Sequence, residues 1–178
     1  LVEPLVRKGV LKADAELCAT SLTGYSGGGK KMIADYETAQ TPLHLGGRQY
    51  ALGQKHKHLP EMLKVCGLAA APAFLPIVVP HYSGMEVSIP LFRSQLADAS
   101  VTADDLKRLY ASYYTQGLVR FAEAPDEGGF LSSAALSGKD VLEVSVYGDG
   151  GRQGAVGLGI RASAAPSARP GARGRCRA

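Results

Sequence analysis

The sequence predicts an α+β domain, a mixed and mainly antiparallel sheet covered by helices. Three observations carry that expectation. Apolar runs of strand length follow one another without an intervening helix at 74–79 and 85–91. Three other segments place their apolar residues at helical spacing. A hydrophobic content of 46% with 20% charged residues supplies a core for one soluble globular domain in 178 residues.

Each element has its own signal. Leu1, Val2, Leu5, Val6, Val10 and Leu11 have helical spacing, with Gly9 placed as a stop, so the pattern opens inside a helix. Leu17 to Leu22 reads as a strand that delivers a glycine-rich loop, and Lys30 to Tyr36 starts a short helix or ordered loop. A strand is expected from Arg48 to Leu52. A short helix follows from Leu59 to Val65, with Pro60 in the first turn, where its missing N–H costs nothing. Phe74 to Val79 and Met85 to Leu91 are expected as buried strands joined by a turn at Ser83-Gly84. Thr102 is placed as the N-cap of a helix with Asp104 and Asp105 in its first turn, and Leu106, Leu109, Tyr110 and Tyr113 form its apolar face. Val119 to Ala122 and Val141 to Tyr147 complete the expected strands. Tyr82 and the tyrosines between 110 and 114 read as core or interface residues.

The net charge of +4 belongs to the end of the chain. Residues 1–151 hold 14 lysines and arginines against 16 acids, whereas six arginines and no acid follow. Residues 1–155 are therefore read as the domain, and 156–178, rich in Ala, Gly, Ser, Pro and Arg, as a low-complexity basic tail without enough apolar surface to fold. An acidic domain without tryptophan and with 7% aromatics argues against nucleic acid as a partner. The longest uncharged stretch, Cys66 to Pro80, is broken by three prolines and too short to span a membrane. Three cysteines without metal-type spacing fit a reducing compartment, and the expected location is the cytoplasm.

Two segments carry chemistry. In Thr23-Gly24-Tyr25-Ser26-Gly27-Gly28-Gly29-Lys30-Lys31, glycines let the backbone approach a ligand, and successive N–H groups with a lysine make an anion site. Ser26, Gly27, Gly28 and Lys30 are the expected phosphate or carboxylate contacts. Gly24, Gly29 and Lys30 also fit a P-loop up to its seventh place. Lys31 replaces the hydroxyl that would bind Mg²⁺, and the bland alternative is a solvated turn. The second segment, His56-Lys57-His58-Leu59-Pro60-Glu61-Met62, sets His58 at a helix N-terminus. The positive end of the helix opposes a second positive charge there and leaves the ring able to accept a proton. No third ligand has sensible spacing, so a metal is not expected; a solvated basic loop is the plain alternative. His44 and His81 are expected in surface turns.

The runs TGYSGGGKKMIADYE (Thr23–Glu37), HKHLPEM (His56–Met62) and GMEVSIPL (Gly84–Leu91), in this order, resemble the N-acetyl-γ-glutamyl-phosphate reductases, especially their shorter bacterial form. The resemblance covers roughly residues 1 to 150 and implies the second domain of a dehydrogenase related in architecture to glyceraldehyde-3-phosphate dehydrogenase. It also implies an NADPH-dependent oxidoreductase of arginine biosynthesis that turns an acyl phosphate into an aldehyde, and a homo-oligomer. By the same resemblance His58 is the catalytic acid/base and His56 a substrate contact.

The family's nucleotide-binding first domain and its cysteine in an Asn-Pro-Gly-Cys-Tyr type motif have no counterpart here. The chain is therefore expected to be a fragment, inactive alone, with NADP(H) held mainly by the missing domain. The residues after Tyr147 also depart from the family's continuation, as a frameshifted end would. Cys18 and Cys66 are read as plain buried residues and not as nucleophiles. Two other classes stay open: a non-catalytic anion-binding or subunit-interface module on the same fold, and a P-loop-like nucleotide binder.

Overall fold

Alternation along two strands decides which side of the sheet is the core. In Met85–Leu91 the odd residues Val87, Ile89 and Leu91 join the apolar core, whereas Glu86, Ser88 and Pro90 point the other way. In Leu142–Tyr147 the even residues Val144 and Val146 are buried in the same core. The computed structural model describes residues 1–39 and 41–148, and the backbone of 156–162.

The helices are α1 (Val2–Arg7), α2 (Gly29–Thr38), α3 (Leu59–Cys66) and α4 (Ala103–Tyr113). The strands are β1 (Cys18–Gly24), β2 (Arg48–Gln49), β3 (Ala73–Val79), β4 (Met85–Leu91), β5 (Val119–Phe121), β6 (Leu142–Tyr147) and β7 (Val156–Ala162). They form one sheet in the order β2-β3-β1-β4-β7-β6-β5. The β1–β3 and β5–β6 pairs are parallel and the other four antiparallel, so the sheet is mixed and mainly antiparallel, as expected.

Leu5 of α1, Leu59 of α3, and Leu106 and Tyr110 of α4 pack with Ala19, Phe74, Ile89, Leu91, Val144 and Val146 into the core. Thr102 caps α4 reciprocally. Its Oγ1 accepts from the Asp105 N–H at 3.2 Å, and its own N–H donates to the Asp105 carboxylate at 2.9 Å.

The strands around Ser83-Gly84 are not a hairpin. β1 lies between β3 and β4, so the chain leaving β3 must cross over the end of β1. Gly24 makes that crossing possible, because a Cβ there would come within 2.8 Å of the Ser83 Cα and the Tyr82 carbonyl oxygen. Gly84 has φ +117° and a Cβ on it would collide with the Ser133 carbonyl, so both glycines serve the crossing.

The division expected after residue 155 also changes. Val156–Ala162 forms β7 between β4 and β6, with Val87 paired to Ile160 and Val144 to Ile160. The remainder of the expected tail, 163–178, lies outside the described residues. No helix among the described residues is long and apolar enough to cross a membrane.

Candidate functional site

The glycine loop is held by the crossing segment. Gly24 N–H donates to the Gly84 carbonyl at 2.9 Å, Tyr25 N–H to His81 at 3.0 Å, and Ser26 N–H to Tyr82 at 2.9 Å. Residues Tyr25–Gly28 then make a 3₁₀ turn and α2 begins at Gly29 without a side-chain cap. Tyr25 stacks on Tyr36 of α2 at 4.9 Å between ring centroids, which folds the helix back over the loop. Ser26 is half-buried; Gly27, Gly28 and Lys30 are exposed.

Between α2 and β2 lies a cleft of about 390 Å³, lined by Gly28, Lys31, Asp35, Tyr36, Arg48 and Tyr50 among others. Of the six residues singled out in the sequence, Gly28 is the one on this lining. Lys31, Asp35 and Tyr36 reach it because positions 31, 32, 35 and 36 share one face of a helix.

A chain of polar contacts runs along its rim. Thr41 Oγ1 meets His44 Nδ1 at 2.9 Å, His44 Nε2 meets the Asp35 carboxylate at 3.1 Å, and Arg48 donates to that carboxylate at 3.4 Å. The His44 side chain is 11% exposed and packs edge-on against Tyr36, so it is not a free turn residue as expected. Its contact, with that of Arg48, holds the Asp35 carboxyl below its ordinary range.

His58 stands as the N-cap of α3 and is exposed. His56 is half-buried, its ring 4.8 Å from that of His58, 5.0 Å from Phe74 and 5.7 Å from Tyr50. His56 Nδ1 accepts the His58 backbone N–H at 3.2 Å. Burial, with the charges of His58 and Lys57 beside it, lowers the His56 pKa. The more enclosed ring is thus His56, with the exposed His58 ring edge-on against it.

The loop and the histidines do not converge on a single point. His56 packs on Phe74 near the start of β3, whereas Gly24 pairs with Val79 at its end. Five residues of strand separate them by about 17 Å. Tyr50 lies between, lining the cleft on one side and touching His56 on the other. The histidine pair and the glycine loop therefore lie near opposite ends of β3.

His81 also departs from the expected surface turn. It is half-buried, with Nε2 2.8 Å from Ser133 Oγ, and burial lowers its pKa. Cys18 and Cys66 are free and half-buried, and burial pushes the Cys66 thiol up, away from a nucleophile's range. Cys176 lies outside the described residues.

Residues 1–159 match the family described as semialdehyde dehydrogenase, dimerisation domain, and the chain belongs to that family. Among its relatives is the N-acetyl-gamma-glutamyl-phosphate reductase of Rhizobium meliloti, 35% identical over 156 residues that make 85% of this chain and 50% of the relative. The N-acetyl-gamma-glutamyl-phosphate reductase 2 of Nostoc is 32% identical over 83% of this chain and 49% of its own length.

The chain spans about half the length of these curated relatives. Among solved structures, aspartate semialdehyde dehydrogenase II from Vibrio cholerae aligns with a TM-score of 0.61 at 14% identity. The alignment covers 91% of this chain and 53% of that one. A probable aspartate-semialdehyde dehydrogenase from Pseudomonas aeruginosa gives 0.62 at 17%, over 90% and 52%. These two similarities establish the fold.

Proposed function

We propose that this chain supplies the catalytic and dimerisation half of an NADPH-dependent reductase. The reaction converts N-acetyl-glutamyl 5-phosphate to N-acetyl-glutamate 5-semialdehyde in arginine biosynthesis. The observation that carries this reading is the identity of about a third with N-acetyl-gamma-glutamyl-phosphate reductases over 85% of the chain, a span that includes the HKHLPEM segment. NADPH, when bound, delivers the hydride. The strand–glycine–helix passage from β1 into α2 is a geometry that accepts phosphate oxygens. It occurs once among the described residues. NADP(H) is held mainly by the half of the protein that the relatives possess and this chain does not span.

In this reading His58, exposed at the start of α3, moves the proton at the reacting oxygen. His56 orients the substrate, since its ring is clamped by Tyr50 and Phe74. Ser26, Gly27, Gly28 and Lys30 contact the substrate's anionic groups near the other end of β3. The nucleophilic cysteine comes from outside this chain, and the chain alone is inactive. The helix-free face of the sheet, with half-buried Leu22, Leu75, Ile77 and Val79, joins two copies in the cytoplasm.

The test is a chimera of the first half of the Rhizobium meliloti relative with residues 1 to 150 of this chain, completed by the relative's own C-terminal segment. Phosphate-dependent reduction of NADP⁺ with N-acetylglutamate semialdehyde supports the reading. A folded chimera without turnover supports a non-catalytic binding or interface module instead.

A further inference from the structure

The edge of β3 is completed by a side chain. β2 lies against β3 for two residues, Arg48 opposite Val78 and Gln49 opposite Ile77, and Tyr50 N–H adds a bond to the Pro76 carbonyl at 3.0 Å. Beyond Tyr50 the pairing ends, and two residues back along β3 the next backbone groups on that edge are those of Phe74. The Gln54 side chain takes both of them. Its Nε2 donates to the Phe74 carbonyl and its Oε1 accepts the Phe74 N–H, each at 2.9 Å. A carboxamide carries a donor and an acceptor in one plane, so it stands in for the peptide groups of a strand residue. The backbone bends to deliver it. Ala51 and Gln54 have φ of +53° and +52°, a left-handed conformation that costs energy in a residue with a Cβ, although Gly53 stands beside Gln54.

The consequence falls two residues further on. The His56 ring packs 5.0 Å from the ring of the same Phe74, and His56 Nδ1 accepts the backbone N–H of His58. Phe74 is thus gripped through its backbone by Gln54 and through its ring by His56. We propose that Gln54 is a positioning residue for the reductase reaction: its clamp on Phe74 sets where the His56 and His58 rings stand, without itself touching substrate. This rests on the reading that His58 moves the proton and His56 orients the substrate.

The first test is made on the full chain, by NMR of the histidine rings. Gln54→Met keeps the length of the side chain and removes both bonds. The His56 and His58 signals should move as the rings leave Phe74, while those of His44 and His81 stay in place and the thermal midpoint changes little. The second test is kinetic, in the chimera described above. Gln54→Met should lower kcat about 10- to 10²-fold, the scale of a displacement of about 1 Å, and raise KM as well, since both rings shift. In a His58→Asn background it should lower kcat no further, because it acts through that ring. Lys55→Met, exposed and next in the chain, should leave both constants unchanged.

Unmoved histidine signals overturn the proposal. So does a normal kcat in Gln54→Met beside a crippled His58→Asn, or a further fall when the two are combined; each of these leaves the reductase reading standing. A lower thermal midpoint at normal kcat makes Gln54 a structural tie alone and likewise overturns it. A chimera without turnover, or one indifferent to His58→Asn, overturns the reading and this proposal with it.

Discussion

Gly24→Ala is the substitution that tests the chain crossing most sharply. Gly24 has φ −59° and ψ 148°, a conformation open to alanine, so the backbone itself offers no objection. The added methyl, however, would lie 2.8 Å from the Ser83 Cα and the Tyr82 carbonyl oxygen, and 2.9 Å from His81 Nδ1. Two of those neighbours are backbone and cannot swing aside, so the turn at 81–84 must lift off β1. Overpacking of this kind costs about 1–3 kcal/mol. Lifting the turn also strains the three hydrogen bonds from Gly24, Tyr25 and Ser26, each worth about 1 kcal/mol net.

A loss of about 2–4 kcal/mol follows, or roughly 5–15 °C in thermal midpoint for a domain of this size. Urea and thermal unfolding followed by far-UV circular dichroism measure it. Gly46→Ala, where nothing lies within 4 Å, is the control and should stay within about 0.5 kcal/mol. A Gly24→Ala protein as stable as the parent would refute the crossing as described.

Thr102→Ala should cost about 1 kcal/mol by removing the reciprocal cap on α4, read from the same unfolding curves. His81 and His56 have lowered pKa values, so the unfolded chain binds protons first as the pH drops. Their contribution is intact above about 6.5 and is lost as the pH falls toward the folded-state values; in a thermal-midpoint series against pH, His81→Gln should soften that decline. Burial raises the Glu86 pKa, although Ser88 Oγ donates to its carboxylate. Stability from the protonated form is therefore lost as the pH rises above about 4.5. Glu86→Gln should be the more stable protein at neutral pH and gain nothing well below 4.5, as unfolding at the two pH values would show.

Local signals were legible and long-range ones were not. The four helices and the strands at Cys18–Gly24, Ala73–Val79, Met85–Leu91 and Leu142–Tyr147 announce themselves by periodicity, caps and prolines within a few residues of each other. The insertion of β1 between β3 and β4 depends on pairings tens of residues apart, and no window of sequence contains them. β7 was hidden by its glycines: Val156-Gly157-Leu158-Gly159-Ile160 alternates, but residues of low strand propensity at 157 and 159 make it read as tail.

At the site, the glycine loop and the histidine pair stood out because unusual residues cluster there. Arg48, Asp35, His44 and Thr41 did not, because each is an ordinary surface residue until the fold gathers α2, β2 and the turn before it. The separation of loop and histidines along β3 is likewise a property of register, invisible in the motifs that name them.

Which histidine transfers the proton is the most direct measurement of the reductase reading. In the chimera, His58→Asn should lower kcat by about 10²–10⁴ with little change in KM, the usual share of a positioned proton-transfer group. His56→Asn should raise KM more than it lowers kcat, as a residue that orients substrate does. A kcat and pH profile untouched by His58→Asn but abolished by His56→Asn would contradict the assignment. Indifference to both would remove catalysis from this domain.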